Sequence, residues 1–110
     1  MLSKKDLIEA NKMFHTGKIA NEGSLDFAVT QVQRSKNWLK TAAILSHAII
    51  TDHVFEDGNK RTAAGVIAAI MELNGLTPDL DKLDKVVLHI SRKNIHSIPK
   101  IARLISHARK

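Results

Sequence analysis

The sequence contains no cysteine, which excludes a disulfide framework and thiol chemistry. It also lacks a long apolar run, since no stretch approaches the roughly 20 residues of a membrane span, and its first residues lack the apolar segment of a signal peptide. Aromatic residues make up only 4% of the chain, which leaves few rings on which nucleic-acid bases could stack. These absences predict a soluble cytoplasmic protein with no membrane partner.

The residues that are present describe a small globular protein. Hydrophobic residues make up 44% of the 110 positions and charged residues 25%, a balance typical of folded chains. This length suits one domain with one core, and we expect that domain to span residues 1–110.

The charge of the chain is positive and unevenly distributed. The formal net charge is +6, which by itself favours an acidic partner. Residues 1–91 are balanced, so the whole excess lies in residues 92–110. The six cations there are Arg92, Lys93, Lys100, Arg103, Arg109 and Lys110. They either complement helix dipoles or form a docking surface.

Apolar residues recur with a helical period almost everywhere, and no segment alternates with the period of a strand. The pattern predicts an all-α fold of about six helices, with Phe14 on the inner face of the first and Leu80 on that of the fifth. The first predicted helix runs from a cap at Ser3 to Gly17, the second from a cap at Ser24 to the turn at 34–37, and the third from Asn37 to about Asp52. The fourth runs from near Asn59 to Asn74-Gly75, the fifth spans about 79–92, and the sixth begins after a cap at Ser97.

Residues 53–63, HVFEDGNKRTA, concentrate the chemistry of the chain between the third and fourth helices. The first N–H groups of a helix lack intrahelical partners and, with the helix dipole, form an anion site. Gly58 allows a turn that brings these groups close to a ligand. Lys60 and Arg61 oppose the dipole, at about 0.3–1 kcal/mol each, and an anionic ligand would reverse that penalty.

The other polar residues of this loop suit phosphate chemistry. Asp57 is a hard oxygen ligand that could hold Mg²⁺ against two phosphates. His53 is a side chain able to accept a hydroxyl proton at neutral pH. Phe55 is expected to point into the core and hold the loop. The remaining histidines have no metal-ligand spacing and are interpreted as surface or hydrogen-bonded groups: His15, His47, His89, His96 and His107.

The pattern H-x-F-x-D-G-N-K-R resembles the signature of the Fic/Doc family, and specifically its Doc branch, and the likeness extends over almost the whole chain. DGNKRT is not a Walker A sequence, because the spaced first glycine is missing. The resemblance implies an all-helical enzyme that moves a phosphate-containing group from ATP to a hydroxyl side chain of a target protein.

The resemblance also implies a role for each motif residue. In the motif loop, residues 53–61, His53 is the general base, and Asp57 is the Mg²⁺ ligand. Gly58 and Asn59 form the anion hole, and Lys60 and Arg61 are the phosphate cations. Residues 17–24, GKIANEGS, correspond to a flap that positions the target backbone by strand addition.

Departures from the wider Fic pattern affect the expected chemistry. Fic adenylyltransferases usually have glycine at the position of Lys60 and an arginine at that of Ala64. In the Doc branch, a lysine goes with transfer of the terminal phosphate, as in a kinase. Gly58 matches the Fic consensus, whereas the best-known Doc sequence has alanine, so adenylyl transfer stays the alternative.

Doc proteins are growth-arresting toxins that modify a translation elongation factor and are neutralised by an antitoxin. The internal inhibitory pattern of some Fic proteins, S/T-x-x-x-E-G/N, is not met, because Lys18 stands at its Ser/Thr position. The resemblance therefore implies a separate antitoxin. Two other hypotheses are a non-catalytic Fic fold and a helical nucleic-acid-binding module. The latter lacks a base-reading face of Arg, Asn and Gln.

Overall fold

The computed structural model describes residues 2–110, which form six α-helices and one π turn. Within these residues no strand forms beyond isolated bridges, so the predicted all-α fold is confirmed, and none of the helices is long and apolar enough to cross a membrane. The elements are α1 (Lys4–Lys12), α2 (Glu22–Gln33), α3 (Trp38–Ser46), the π turn (His47–Thr51), α4 (Asn59–Leu73), α5 (Leu80–Lys93) and α6 (Ile98–Ser106).

Helices α3 and α4 form the centre of the fold. α3 packs against α2, α4 and α6, and α4 also packs against α1 and α5. Almost fully buried residues lie on both sides of the motif loop: Leu45 of α3 and Ile49 of the π turn before it, and Ile67 and Met71 of α4 after it. The loop between them is therefore held at both ends by the best-packed part of the molecule.

Side chains cap five of the α-helices at the N-terminus. Ser3, Asn37 and Ser97 act as the sequence predicts. The predicted cap at Ser24 is wrong, because the side chain of Asn21 accepts the Ser24 N–H at 3.2 Å and α2 begins at Glu22. Asn21 Nδ2 also donates to the Asp52 carbonyl oxygen at 3.1 Å. This bond joins the start of α2 to the residue that precedes the motif loop.

Two predicted core residues lie at the surface. Phe14 is 54% exposed, because α1 ends at Lys12 and Phe14 lies in the following turn. Leu80 is 63% exposed, at the first position of α5, where it lines a surface cavity. Leu83, further along the same helix, is buried as predicted.

Candidate active site

The motif loop, the start of α4, one face of α5 and His15 line a cavity of about 640 Å³. This volume lies within the range usual for small-ligand sites. The cavity brings together every residue of the predicted site: His53, Asp57, Gly58, Asn59, Lys60 and Arg61.

The N-terminus of α4 differs from those of the other α-helices described in residues 2–110. Its N-cap, Gly58, offers no side-chain hydrogen bond, whereas a side chain caps each of the others. Its first turn also contains cations and no acidic residue. Gly58 adopts φ +75°, in the left-handed region, and a Cβ there would overlap the His15 ring. Both the backbone angle and the lack of space favour glycine at this position.

His53 occupies an unusual backbone conformation for a non-glycine residue, with φ 51°. Its neighbours impose that conformation. Thr51, two residues before it, donates through Oγ1 to the Ile95 carbonyl oxygen at 2.8 Å, and the Val54 carbonyl oxygen accepts the Ala20 N–H at 2.7 Å. A left-handed, exposed histidine at a cavity wall is the kind of strained residue that clusters at functional sites.

Asn59 has a structural role that the sequence did not predict. Its Oδ1 accepts the Phe55 N–H at 3.0 Å, and its Nδ2 donates to the Phe55 carbonyl oxygen at 2.9 Å. The carboxamide therefore pairs with the backbone of Phe55 as a neighbouring strand would and holds the motif loop closed. Since its side chain is used in this way, Asn59 can contact an anion only through its backbone N–H. Phe55 itself is 1% exposed, which confirms that it anchors the loop in the core.

Asn11 is a buried polar residue that connects three segments around the site, and sequence reasoning missed it. Its side chain is 1% exposed. Nδ2 donates to the Asp57 carbonyl oxygen at 2.9 Å and to Thr62 Oγ1 at 3.0 Å, and Oδ1 accepts the Gly17 N–H at 2.9 Å. The signal available in the sequence was an asparagine four residues after Leu7, on the buried face of α1.

Asp57 presents its carboxylate to the cavity. One oxygen, Oδ1, accepts the Gly58 N–H at 2.8 Å. The other, Oδ2, lies 3.6 Å from Nδ1 of His15, and the Asp57 side chain is 84% exposed. Mg²⁺ is usually bound by one or two carboxylates together with water and phosphate oxygens. The exposed carboxylate of Asp57 is therefore suited to the predicted role of metal ligand.

Lys60 and Arg61 are exposed and both line the cavity. The guanidinium carbon of Arg61 lies 5.1 Å from the centroid of the Phe14 ring, a cation–π contact. This contact gives the exposed Phe14 a role at the site, since it holds Arg61 beside the end of α1.

Residues of α5 form another wall of the cavity, which could not be predicted from the sequence. Asp84, Val87, Leu88 and Ser91 line it. Their spacing places them on one helix face, but a spacing cannot show which neighbour that face meets.

The predicted flap pairs with the motif loop. Ile19 and Phe55 form an isolated antiparallel bridge, and the Glu56 N–H donates to the Lys18 carbonyl oxygen at 3.0 Å. Because Ile19 and Phe55 are the non-hydrogen-bonded pair of this bridge, the N–H and C=O of Ile19 point to the outer edge. The flap is shorter than predicted, since residues 22–24 belong to α2.

One protein family matches the chain. The match is to the Fic/DOC family and covers residues 2–71, which include α1, the flap, the whole motif loop and most of α4. A search of curated proteins found no match.

Proposed function

This chain belongs to the Fic/DOC family, whose members transfer nucleotide moieties to proteins, and we propose that it acts as a Doc-like kinase. The proposed reaction moves the terminal phosphate of ATP to a hydroxyl side chain of a target protein. The observation that carries this proposal is Lys60 in the first turn of α4, two residues after Gly58, the N-cap that makes no side-chain hydrogen bond.

In the proposed reaction, His53 accepts the proton of the target hydroxyl. The hydroxyl oxygen then attacks the γ-phosphorus in line, the bond to the β,γ-bridging oxygen breaks, and ADP leaves with the bonding electrons. Asp57 would hold Mg²⁺, which when bound neutralises charge on the phosphates. The left-handed backbone of His53 fixes the base at the cavity wall, so little reorientation is needed before proton transfer.

Lys60 is proposed to set which phosphate reacts. A glycine in its place would leave the first N–H groups of α4 open to direct contact with a phosphate. The longer lysine side chain would fill part of that space and add a charge. It therefore selects how the triphosphate lies, and with it which phosphorus faces the hydroxyl. Position 64, which lines the same cavity, is occupied by Ala64, whereas adenylyltransferases usually have an arginine there.

Parallel labelling with ATP carrying the label on the α or the γ phosphate tests this proposal. Wild-type protein should incorporate only the γ label into a target protein from a lysate, and Lys60→Gly should lose that activity. Lys82→Gly is a matched control, because it also replaces an exposed lysine by glycine in the first turn of a helix, here α5. It should transfer the γ label as wild type does.

The alternative is transfer of AMP, which Gly58 favours because it matches the adenylyltransferase pattern. Incorporation of the α label by both wild type and Lys60→Gly would replace the kinase assignment with this one. Absence of either label, with ATP binding retained, would support a non-catalytic Fic fold.

The flap is proposed to bind the target backbone by strand addition. Its outer edge carries the Ile19 N–H and C=O, and none of the hydrogen bonds described for residues 2–110 uses them. Ile19→Pro removes the N–H without adding charge. It should reduce transfer to the target protein while leaving ATP affinity unchanged, and an unchanged transfer rate would remove the flap from target binding.

The biological role proposed is that of a toxin that modifies a translation elongation factor and is neutralised by a separate antitoxin. The six cations of residues 92–110 are exposed, and three of them, Arg92, Lys93 and Arg103, lie in last helical turns, where they complement the dipole. An acidic antitoxin segment would pair with these exposed cations. Expression of the wild-type chain alone should arrest growth and His53→Ala should not. Normal growth of cells making active wild-type protein would contradict the toxin role.

A further inference from the structure

A second cluster of metal-ligating side chains lies outside the cavity. His47, Asp52 and His96 each place one ligand atom within 4.8 Å of the other two. The sequence did not indicate this cluster, because His47 and His96 lie 49 residues apart. His47 and Asp52 are partly buried and His96 is exposed, so an ion could enter from solvent.

The π turn creates half of this cluster. In an α-helix, residues five apart point about 140° away from each other. Here the Asp52 N–H donates to the His47 carbonyl oxygen at 3.1 Å, which is an i→i+5 bond. This wider turn places His47 and Asp52 on the same side, with His47 Nδ1 3.8 Å from Asp52 Oδ2.

The two imidazoles have the spacing of ligands to one ion. His47 Nε2 lies 3.2 Å from His96 Nδ1. Two nitrogens bound to Zn²⁺ at about 2.0–2.1 Å with tetrahedral geometry lie about 3.3 Å apart. A hydrogen bond between the two rings, with Asp52 facing Nδ1 of His47, would give the same distances, and metal titration distinguishes the two arrangements.

Asn94 lies where a supporting residue of a metal site is expected. Its carboxamide nitrogen, Nδ2, lies 3.5 Å from the other ring nitrogen of His96, Nε2, and the nitrogen and oxygen of a carboxamide exchange places by rotation of the group. With its oxygen turned towards that nitrogen, Asn94 would accept the Nε2–H and leave the Nδ1 lone pair facing His47. Metal-bound histidines usually have such a partner on the ring nitrogen that does not bind the metal.

We propose that Zn²⁺ binds to His47 through Nε2, to His96 through Nδ1 and to Asp52 once its carboxylate turns from His47 Nδ1 towards the ion, with solvent in the fourth position. Two imidazoles and one carboxylate are a ligand set that Zn²⁺ accepts, and the three-residue site leaves a position open. The ion would join the π turn to the segment between α5 and α6. Since Asp52 directly precedes His53, it would also fix the entry to the motif loop.

Metal titration of the whole chain tests this site. Zn²⁺ affinity is measured by calorimetry, and Co²⁺ is used as a second probe, because a tetrahedral site with histidine ligands gives it visible absorption. Wild-type protein should bind one equivalent. His96→Gln should weaken binding by at least the roughly 10–100-fold that loss of a supporting residue costs.

Two control variants separate this site from other histidines and from the cavity. His107→Gln changes an exposed histidine outside the cluster and should bind Zn²⁺ as wild type does. Asp57→Asn should also keep full affinity. Zn²⁺ should raise the thermal midpoint of wild type and not that of His96→Gln. A cooperative thermal transition of His96→Gln also shows that this variant is folded.

Three results would overturn the proposal. The first is a wild-type affinity no higher than that of His96→Gln. The second is loss of Zn²⁺ binding in Asp57→Asn, which would place the ion in the cavity. The third is an equal loss in His107→Gln, which would show binding to scattered surface histidines.

Discussion

Substitution of Asn11 by alanine should destabilise the protein and loosen the motif loop. The side chain makes hydrogen bonds to the Asp57 carbonyl oxygen, to Thr62 Oγ1 and from the Gly17 N–H. A typical hydrogen bond contributes about 0.5–1.5 kcal/mol, and a buried group left without a partner costs about 1–3 kcal/mol. Because Asn11 and Thr62 are both 1% exposed, we expect a loss of about 2–4 kcal/mol of unfolding free energy.

Urea unfolding followed by circular dichroism measures this loss. The slope of the transition should stay unchanged, since the same surface is exposed on unfolding. A loss of this size is a large part of the roughly 5–15 kcal/mol that holds a small domain together. Amide hydrogen exchange gives a local readout, because the Gly17 N–H should exchange faster in the variant.

Asn74→Ala is the matched control for Asn11→Ala. Asn74 is exposed at the end of α4 and makes one side-chain bond, from Nδ2 to the Ile70 carbonyl oxygen at 2.7 Å. Its loss should cost less than about 1 kcal/mol. If Asn11→Ala were no more destabilising than Asn74→Ala, the reasoning that Asn11 connects α1, the flap and α4 would be refuted.

Three further predictions follow from the site and from α1. His53→Ala should abolish transfer and leave calorimetric ATP affinity nearly unchanged; loss of both would make His53 a binding residue instead of the base. Gly58→Ala should lose about 1–2 kcal/mol of unfolding free energy from the left-handed backbone alone, and adding His15→Ala should recover only the part due to the overlap; a neutral Gly58→Ala in urea unfolding would contradict both arguments. Hydrogen bonds from the Ser3 N–H and hydroxyl lower the pKa of the Asp6 carboxyl below 3.8, so its stabilisation should be complete above this pH and disappear as the pH falls through the lowered folded pKa. Urea midpoints of wild type and Asp6→Asn should therefore differ at pH 7 and approach each other as the pH falls below 3.8, and a difference independent of pH would disprove this.

Most of the fold was predictable because its signals are local. The caps at Ser3, Asn37 and Ser97 are short-range contacts between a side chain and the next helical turn. The Asn74-Gly75 stop and the Gly58 turn are likewise set by the backbone preferences of those residues. The motif residues fall together in the structure because they are consecutive in the chain.

The features that were missed depend on contacts between distant segments. Asn11 meets Asp57 across 46 positions, and His15 meets the same residue from the end of α1. The error at Ser24 has a similar cause. Asn21 and Ser24 are both good capping residues, and the bond from Asn21 to the Asp52 carbonyl oxygen decides between them.

The wall formed by α5 has a consequence for how such a site can diverge. The groups suited to phosphate lie on the motif loop and α4, whereas Asp84 and Ser91 face the same cavity from a helix that starts after residue 79. The two walls are separate in the sequence and are brought together by the packing of α4 against α5. Substitutions on α5 can therefore change which part of a ligand beyond its phosphates the cavity accepts, while the phosphate-binding geometry stays the same. Ligand selectivity and catalytic chemistry can then evolve separately.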